Sequence, residues 1–293
     1  MNLYSSKDLT QLLERHGFFF KKNLGQNFLI RESVASRIAQ TARLAAPENE
    51  KTLAVEIGPG AGSLTYQLCK TFDRVLALEI DPHVLPILEE SLADFQNVTV
   101  ELADALRFDF SSLPERFPGY RISVCANLPY YITSEVIMRL LESTVKFDGI
   151  TVLIQKEAAE RLVSPPGSPD YGSITASVSY YAKAERKFTV GPGNFIPRPK
   201  VDSAVLQLIP YRDLPVKPLD PAELFAVIRA AFFARRKTLA NALFSQFADS
   251  FTKEEINLIL EESDISPMRR GETLSLEEFA RVADNVSKKR SKK

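Results

Sequence analysis

Thr52-Leu53-Ala54-Val55-Glu56-Ile57-Gly58-Pro59-Gly60-Ala61-Gly62 is the stretch that decides the fold. Residues 52–58 form a short apolar run ending in glycine, the pattern of a parallel strand buried on both faces. The glycines allow a tight turn and let a ligand approach the backbone and the helix that follows. That helix is expected over 61–71, where Leu64, Leu68 and Phe72 share a face.

The alternation continues outward from this stretch. Strands are expected at 74–80, 98–102, 122–128 and 150–155. Pro82 suits the first turn of a helix over 82–93. Thr133 is expected to cap a helix over 134–143, and another helix should run from Lys156 to Val163. This is an α/β pattern, a mostly parallel, doubly wound sheet with right-handed crossovers. Residues 184–190 and 203–209 read as strands with no helix between them, which predicts a final antiparallel hairpin. Pro210, Pro215, Pro218 and Pro221 mark a linker. Helical spacing then recurs at about 221–234, 236–248, 253–262 and 275–286, a small all-helical second domain. The expected divisions are an N-terminal arm (1–20), an α/β domain (21–210), a helical domain (211–287) and a disordered basic tail (288–293). Phe18-Phe19-Phe20 can pack on the α/β domain, with the residues before them a loose arm.

Composition narrows the class. The chain of 293 residues is 45% hydrophobic and 25% charged, an ordinary globular mix. Cys69 and Cys125 sit in apolar contexts, too few for a disulfide framework or a zinc site. No metal is expected, and two buried thiols fit the reducing cytoplasm. No apolar run approaches the roughly 20 residues of a membrane span, and the N-terminus lacks a signal-peptide core. The 37 basic and 37 acidic side chains cancel, which taken alone argues against a nucleic-acid partner. Local counts change that. Residues 48–115 carry 13 acids and 4 bases, whereas 180–200 carry 5 bases and 1 acid. Residues 225–245 carry Arg229, Arg235, Arg236 and Lys237 with no acid. Arg235-Arg236-Lys237 is the best candidate for phosphate contact.

Two acids follow successive strands. Glu79 lies about 20 residues past the glycines, where a carboxylate holds ribose hydroxyls in dinucleotide-binding folds. Asp104 follows the third strand and could accept a bond from an adenine amino group. These features suit a nicotinamide dinucleotide or S-adenosylmethionine. Ser63 occupies the place of the third glycine of the dinucleotide fingerprint, which weakens the first option.

Asn127-Leu128-Pro129-Tyr130 ends the fourth strand and separates them. Pro129 has no N–H and biases Leu128 away from helical geometry, which frees the Leu128 carbonyl to face the crevice. The Asn127 side chain supplies a second acceptor oxygen. Two acceptors match the two protons of an exocyclic amine, and Tyr130 offers a face for a base.

With these residues the chain resembles the bacterial small-subunit (16S) ribosomal RNA adenine N6-dimethyltransferases, which have a class I, Rossmann-like methyltransferase domain. The resemblance spans about Lys21 to residue 285. It is carried by Asn23-Leu24-Gly25-Gln26-Asn27-Phe28-Leu29, the Gly58 turn, Asn127-Leu128-Pro129-Tyr130, and Phe195-Ile196-Pro197-Arg198-Pro199-Lys200-Val201-Asp202-Ser203-Ala204-Val205. Ala234-Arg235-Arg236-Lys237-Thr238-Leu239 also matches. The resemblance implies S-adenosylmethionine as cofactor, bound by Asn27, Leu29, Gly58, Gly60, Glu79, Asp104 and Asn127. It implies dimethylation of two adjacent adenines near the 3′ end of 16S rRNA in the assembling 30S subunit, by a cytoplasmic monomer. Phe195 would stack on the target base opposite Tyr130. Tyr131 departs from the asparagine found there in many relatives. The resemblance leaves two other readings, a resistance-type methylase of 23S rRNA and a non-catalytic assembly or transcription factor of the same fold. No strong base is needed: holding the amine in line with the methyl group is positioning plus electrostatic stabilisation. His16 and His83 lie outside the motifs.

Overall fold

The computed structural model describes residues 2–21 and 24–292; Asn23, which opens the N-terminal motif, and Lys293, which ends the basic tail, lie outside them. The strands are β1 (Phe28–Leu29), β2 (Thr52–Ile57), β3 (Arg74–Glu79), β4 (Val98–Leu102), β5 (Arg121–Asn127), β6 (Gly149–Gln155), β7 (Ala182–Val190), β8 (Phe195–Ile196) and β9 (Ser203–Pro210). One sheet has the order β4-β3-β2-β5-β6-β9-β7. Pairing is parallel from β4 to β6, and β9 runs antiparallel to β6. Every residue of β2 is buried, which accounts for its apolar run. The order reverses at β2, whose neighbours β3 and β5 lead the chain away on opposite sides. The crevice at such a reversal is where open α/β sheets place ligands. A second pairing joins β1 to β8, with Phe28 opposite Ile196 and Leu29 opposite Phe195.

The described residues fall into two compact units. One extends to Ala159 and includes Ala184–Pro210; the other holds Glu160–Lys183 and the chain from Tyr211 onward. The expected α/β domain of 21–210 therefore loses residues 160–183. The helix Ser173–Tyr181, which no apolar periodicity announced, is the reason. It buries Ala176 and Tyr180 in one cluster with Leu224, Val227, Leu243 and Phe279, and the nearby Tyr171 hydroxyl donates to the Leu274 carbonyl at 3.1 Å.

Both expected loose ends are ordered helices. Ser6–Arg15 is capped by the Ser5 hydroxyl, which accepts from the Asp8 N–H. It buries Leu9, Leu12 and Leu13 in a cluster with Phe18, Phe28, Ile87 and Leu88, while Phe19 points into solvent. At the other end the helix Leu276–Arg290 takes in Lys288, Lys289 and Arg290. Positive charge in a last turn favours the helix, and Arg290 pairs with Glu223. Two local expectations also change. Thr133 is the first helical residue, and its hydroxyl donates to the Pro129 carbonyl at 3.2 Å. Arg235–Lys237 lie in a turn, because the next helix starts only at Leu239. Its first N–H groups, on Leu239 and Ala240, bond the Arg269 and Pro267 carbonyls.

Leu12→Ala should cost about 2–5 kcal/mol, the range for truncating a buried leucine. Urea unfolding checks this; a loose arm would leave stability within about 0.5 kcal/mol.

Candidate functional site

A cavity of about 220 Å³ lies at the carboxyl ends of β2, β3, β4 and β5. Asn27, Leu29, Gly58, Gly60, Glu79, Asp104, Asn127, Leu128, Pro129 and Tyr130 all line it. The topology explains the convergence. Gly58 follows β2, Glu79 ends β3, Asp104 follows β4 and Asn127 ends β5, so each stands at the same edge of the sheet.

The glycine turn leaves room for a ligand on one side and none on the other. A Cβ on Gly58 would meet nothing within 4 Å, so the space above it is open to a ligand. A Cβ on Gly60 would come within 2.8 Å of the Phe28 ring, and Gly60 has φ +56°, strained for any other residue.

Asn127 is fixed in orientation. Its Nδ2 donates to the Asn27 carbonyl at 2.8 Å. A carbonyl only accepts, so the amide cannot be flipped and its Oδ1 remains an acceptor. Asn27 is held in turn, its Nδ2 donating to the Gly25 carbonyl at 3.0 Å. The Leu128 N–H is taken by the Leu153 carbonyl at 3.1 Å. The Tyr130 hydroxyl lies 3.2 Å from the Ser203 hydroxyl, which anchors the ring.

Glu79 is buried, and burial raises its carboxyl above the ordinary value; the N–H groups of Asp81, Gly60 and Ile80 oppose this. Asp104 is half-buried, and its Oδ1 accepts from the Leu106 N–H at 2.9 Å. His16 and His83 face Glu90 and Asp81, and neither lines the cavity.

Phe195 corrects the sequence reading. It is 3% exposed and packed with Leu29, Leu153, Val190 and Val205. Its pairing opposite Leu29 in β8 turns the ring into the core, so it has no free face for a base. Tyr131 is instead the exposed aromatic beside Tyr130 on the cavity wall, with 64% of its surface in solvent. Arg235, Arg236 and Lys237 are exposed in the helical unit and are not part of this cavity. Arg235 pairs with Glu272 and also donates to the Pro169 carbonyl.

Sequence reasoning missed Glu56. It is 1% exposed on β2, lines the cavity, and its Oε2 has no hydrogen-bond partner among the described residues. The Ser63 hydroxyl, also lining the cavity, is likewise unpartnered there. Burial pushes the Glu56 carboxyl up to about 8; the Thr65 hydroxyl opposes this and the charge of Glu79 adds to it. A buried carboxylate needs a compensating charge or bond, and Glu56 has neither for its Oε2 among the described residues. An acid inside an otherwise uncharged, fully buried strand was the available signal. No cluster of His, Cys, Asp or Glu suited to a metal occurs among the described residues.

Residues 17–281 match the family model described as ribosomal RNA adenine dimethylase. The chain is 45% identical over 277 residues to a protein of Geobacillus sp. (strain WCH70) named ribosomal RNA small subunit methyltransferase A, covering 94% of each. It is 44% identical over 285 residues to a protein of the same name from Lachnoclostridium phytofermentans, covering 97% of each. Among solved structures it is similar to a dimethyladenosine transferase of Plasmodium falciparum, with TM-score 0.74 and 25% identity over 89% of this chain and 98% of that one. A 23S rRNA methyltransferase at TM-score 0.65 and 23% identity, covering 89% of this chain and 99% of that one, shows the shared fold.

Glu56 generates a pH prediction. Its folded value of about 8 exceeds the ordinary 4.5, so between these pH values the folded state holds a proton that the unfolded state has released. Its effect on stability is therefore most favourable below 4.5 and is lost as pH rises to about 8. Glu56→Gln should flatten the pH dependence of the thermal midpoint across that window. An unchanged slope would show that Glu56 is already ionised in the free protein.

Proposed function

Because the chain belongs to the ribosomal RNA adenine dimethylase family, we propose that its cavity binds S-adenosylmethionine and that the Asn127–Tyr130 turn presents an adenine N6 amine to it. The protein is an rRNA adenine dimethyltransferase. Its proposed target is a pair of adjacent adenines near the 3′ end of 16S rRNA, modified in assembling small subunits in the cytoplasm by a monomer. The observation that carries the site assignment is the locked Asn127 amide, whose Nδ2 is committed to Asn27 and whose Oδ1 remains an acceptor.

S-adenosylmethionine, when bound, supplies an electrophilic methyl group on a sulfonium. Every other part of the chemistry falls to this chain. Glu56 supplies the carboxylate for an ammonium group, Glu79 the acceptor for ribose hydroxyls and Asp104 the acceptor for the donor's adenine amine. Gly58 leaves space where a side chain would obstruct. The adenine N6 lone pair is delocalised into the ring and weakly nucleophilic. Bonds from its protons to Asn127 Oδ1 and the Leu128 carbonyl hold the nitrogen in line and favour localisation of that pair. A monomethylated amine keeps one proton for one of these acceptors, so the same pair serves the second transfer. The base must leave its stack to enter the pocket, and the anchored Tyr130 ring gives it a face.

Transfer of labelled methyl groups to undermethylated small subunits should place label on two adjacent adenines, with little on large subunits. Label on large-subunit RNA instead would overturn the target assignment. Asn127→Ala should lower kcat about 100-fold or more, the scale for losing one preorganised polar group, while loss of the bond to Asn27 costs only about 1 kcal/mol of stability.

The basic turn gives a further prediction. Arg236→Ala and Lys237→Ala should each lower the salt slope of subunit binding by about one. Arg235→Ala should also lower the thermal midpoint, because Arg235 holds Glu272 and Pro169.

A further inference from the structure

We propose that Asp81 is a positioning residue that fixes the cavity wall carrying Gln26 and Asn27 against the strand end carrying Glu79, and so sets the affinity for the methyl donor. The inference rests on the donor assignment above. Asp81 follows β3 and is 1% exposed. Its Oδ1 accepts from Lys21 Nζ at 2.9 Å and its Oδ2 from Gln26 Nε2 at 3.2 Å. The Lys21 N–H donates to Gln26 Oε1 at 2.9 Å, so Lys21, Gln26 and Asp81 close a ring of hydrogen bonds. The His83 N–H reaches Oδ1 at 3.1 Å, and His83 Nδ1 lies 2.9 Å from the same oxygen.

The ring has an output on each side. The Asp81 N–H donates to Glu79 Oε1 at 2.8 Å, which orients the carboxylate expected to hold the donor ribose. On the other side Gln26 is followed by Asn27, whose carbonyl fixes the Asn127 amide at 2.8 Å. Asp81 itself does not line the cavity, whereas Gln26, Asn27, Glu79 and Asn127 do. It acts through them. Phe28 and Leu29 are held by core packing and by β8, but Lys21, Gln26 and Asn27 are only half-buried, so the placing of Gln26 and Asn27 depends on these bonds. The carboxylate keeps its charge over the working pH range. Burial raises its pKa, but the bonds from Lys21, His83 and Gln26 outweigh burial and leave it at about 2. A charge-assisted ring of this kind is stronger than neutral hydrogen bonds.

The test measures S-adenosylmethionine affinity by calorimetry on the full chain for wild type, Asp81→Asn, Gln26→Ala, Lys21→Met and Lys21→Arg, with thermal midpoints recorded alongside. Gln26→Ala and Lys21→Met leave Asp81 in place and keep the question open if Asp81→Asn fails to fold. In variants that fold, donor affinity should fall about 10- to 100-fold, the scale of one hydrogen bond to a charged group. The KM for undermethylated subunits should stay within about twofold, since the phosphate contacts assigned to Arg236 and Lys237 lie elsewhere, while kcat falls with the loosened Asn127 amide. Lys21→Arg should recover most of the affinity, which a general loss of stability would not allow. If folded Gln26→Ala and Lys21→Met bind the donor as tightly as wild type, the positioning role is overturned. If wild type itself binds no S-adenosylmethionine, the donor assignment fails instead.

Discussion

The packing of β2 between two parallel neighbours is the constraint on which the rest depends. A strand buried on both faces must be apolar, must satisfy every backbone group through the sheet, and must end in a turn that leaves the sheet at once. β2 meets these demands with Thr52–Ile57 and the glycine turn beyond it. Because β3 and β5 flank it and lead away on opposite sides, the turn opens onto a crevice and not onto a covering helix. The cavity follows from strand order before any side chain is chosen. Glu56 is the one charged residue in β2. Burial raises its carboxyl to about 8, so the neutral form carries the cost of this position.

The sheet was legible because its signals are local. Buried parallel strands leave mostly apolar stretches of six or seven residues here, and β2, β3 and β5 have a glycine, an acid or an asparagine at the carboxyl end. The order of the site residues along the chain therefore maps directly onto the edge of the sheet. The helical unit was legible for the same reason, in apolar residues at helical spacing. What escaped the reading is non-local. Ser173–Tyr181 has apolar and small residues on all sides and buries them only because Pro221–Phe233 comes back to meet it. Ser6–Arg15 has a plain amphipathic pattern, but whether a terminal helix docks depends on a surface made by Ile87 and Leu88 about 75 residues later. The basic tail was misread by composition: charge at a helix C-terminus stabilises the helix that the same charge would dissolve elsewhere.

Charge balance has a structural meaning that the total of zero conceals. The acids of residues 48–115 lie in and between the strands that build the cavity, and several of them are consumed internally. Asp73 accepts from Thr52, Asp81 from Lys21 and Gln26, and Glu79 from the Asp81 N–H. The bases are spent differently. Arg121 is tied to Asp148, Arg269 to Glu278 and Arg235 to Glu272. Arg236 and Lys237 remain exposed on a turn.

Phe195 shows how a motif can be recognised and its members still misplaced. An aromatic residue near a base-binding turn invites a stacking role, and sequence offers no way to see which face of a two-residue strand it occupies. The pairing of β8 with β1 decides the matter. Leu29 and Phe195 stand opposite each other and both side chains enter the same core. That core also contains Leu153 and Val205, from the β6–β9 pair. Phe195 therefore contributes indirectly, by clamping the strand that carries Leu29 and follows Asn27. With its ring withdrawn, the aromatic surface left at the cavity belongs to Phe28, Tyr130 and Tyr131. Phe28 is committed to Phe18 and Phe20 and to the close approach at Gly60. Tyr130 is anchored through Ser203. Tyr131 alone of the three is largely in solvent, so it is the aromatic surface at the cavity that the fold has not already used.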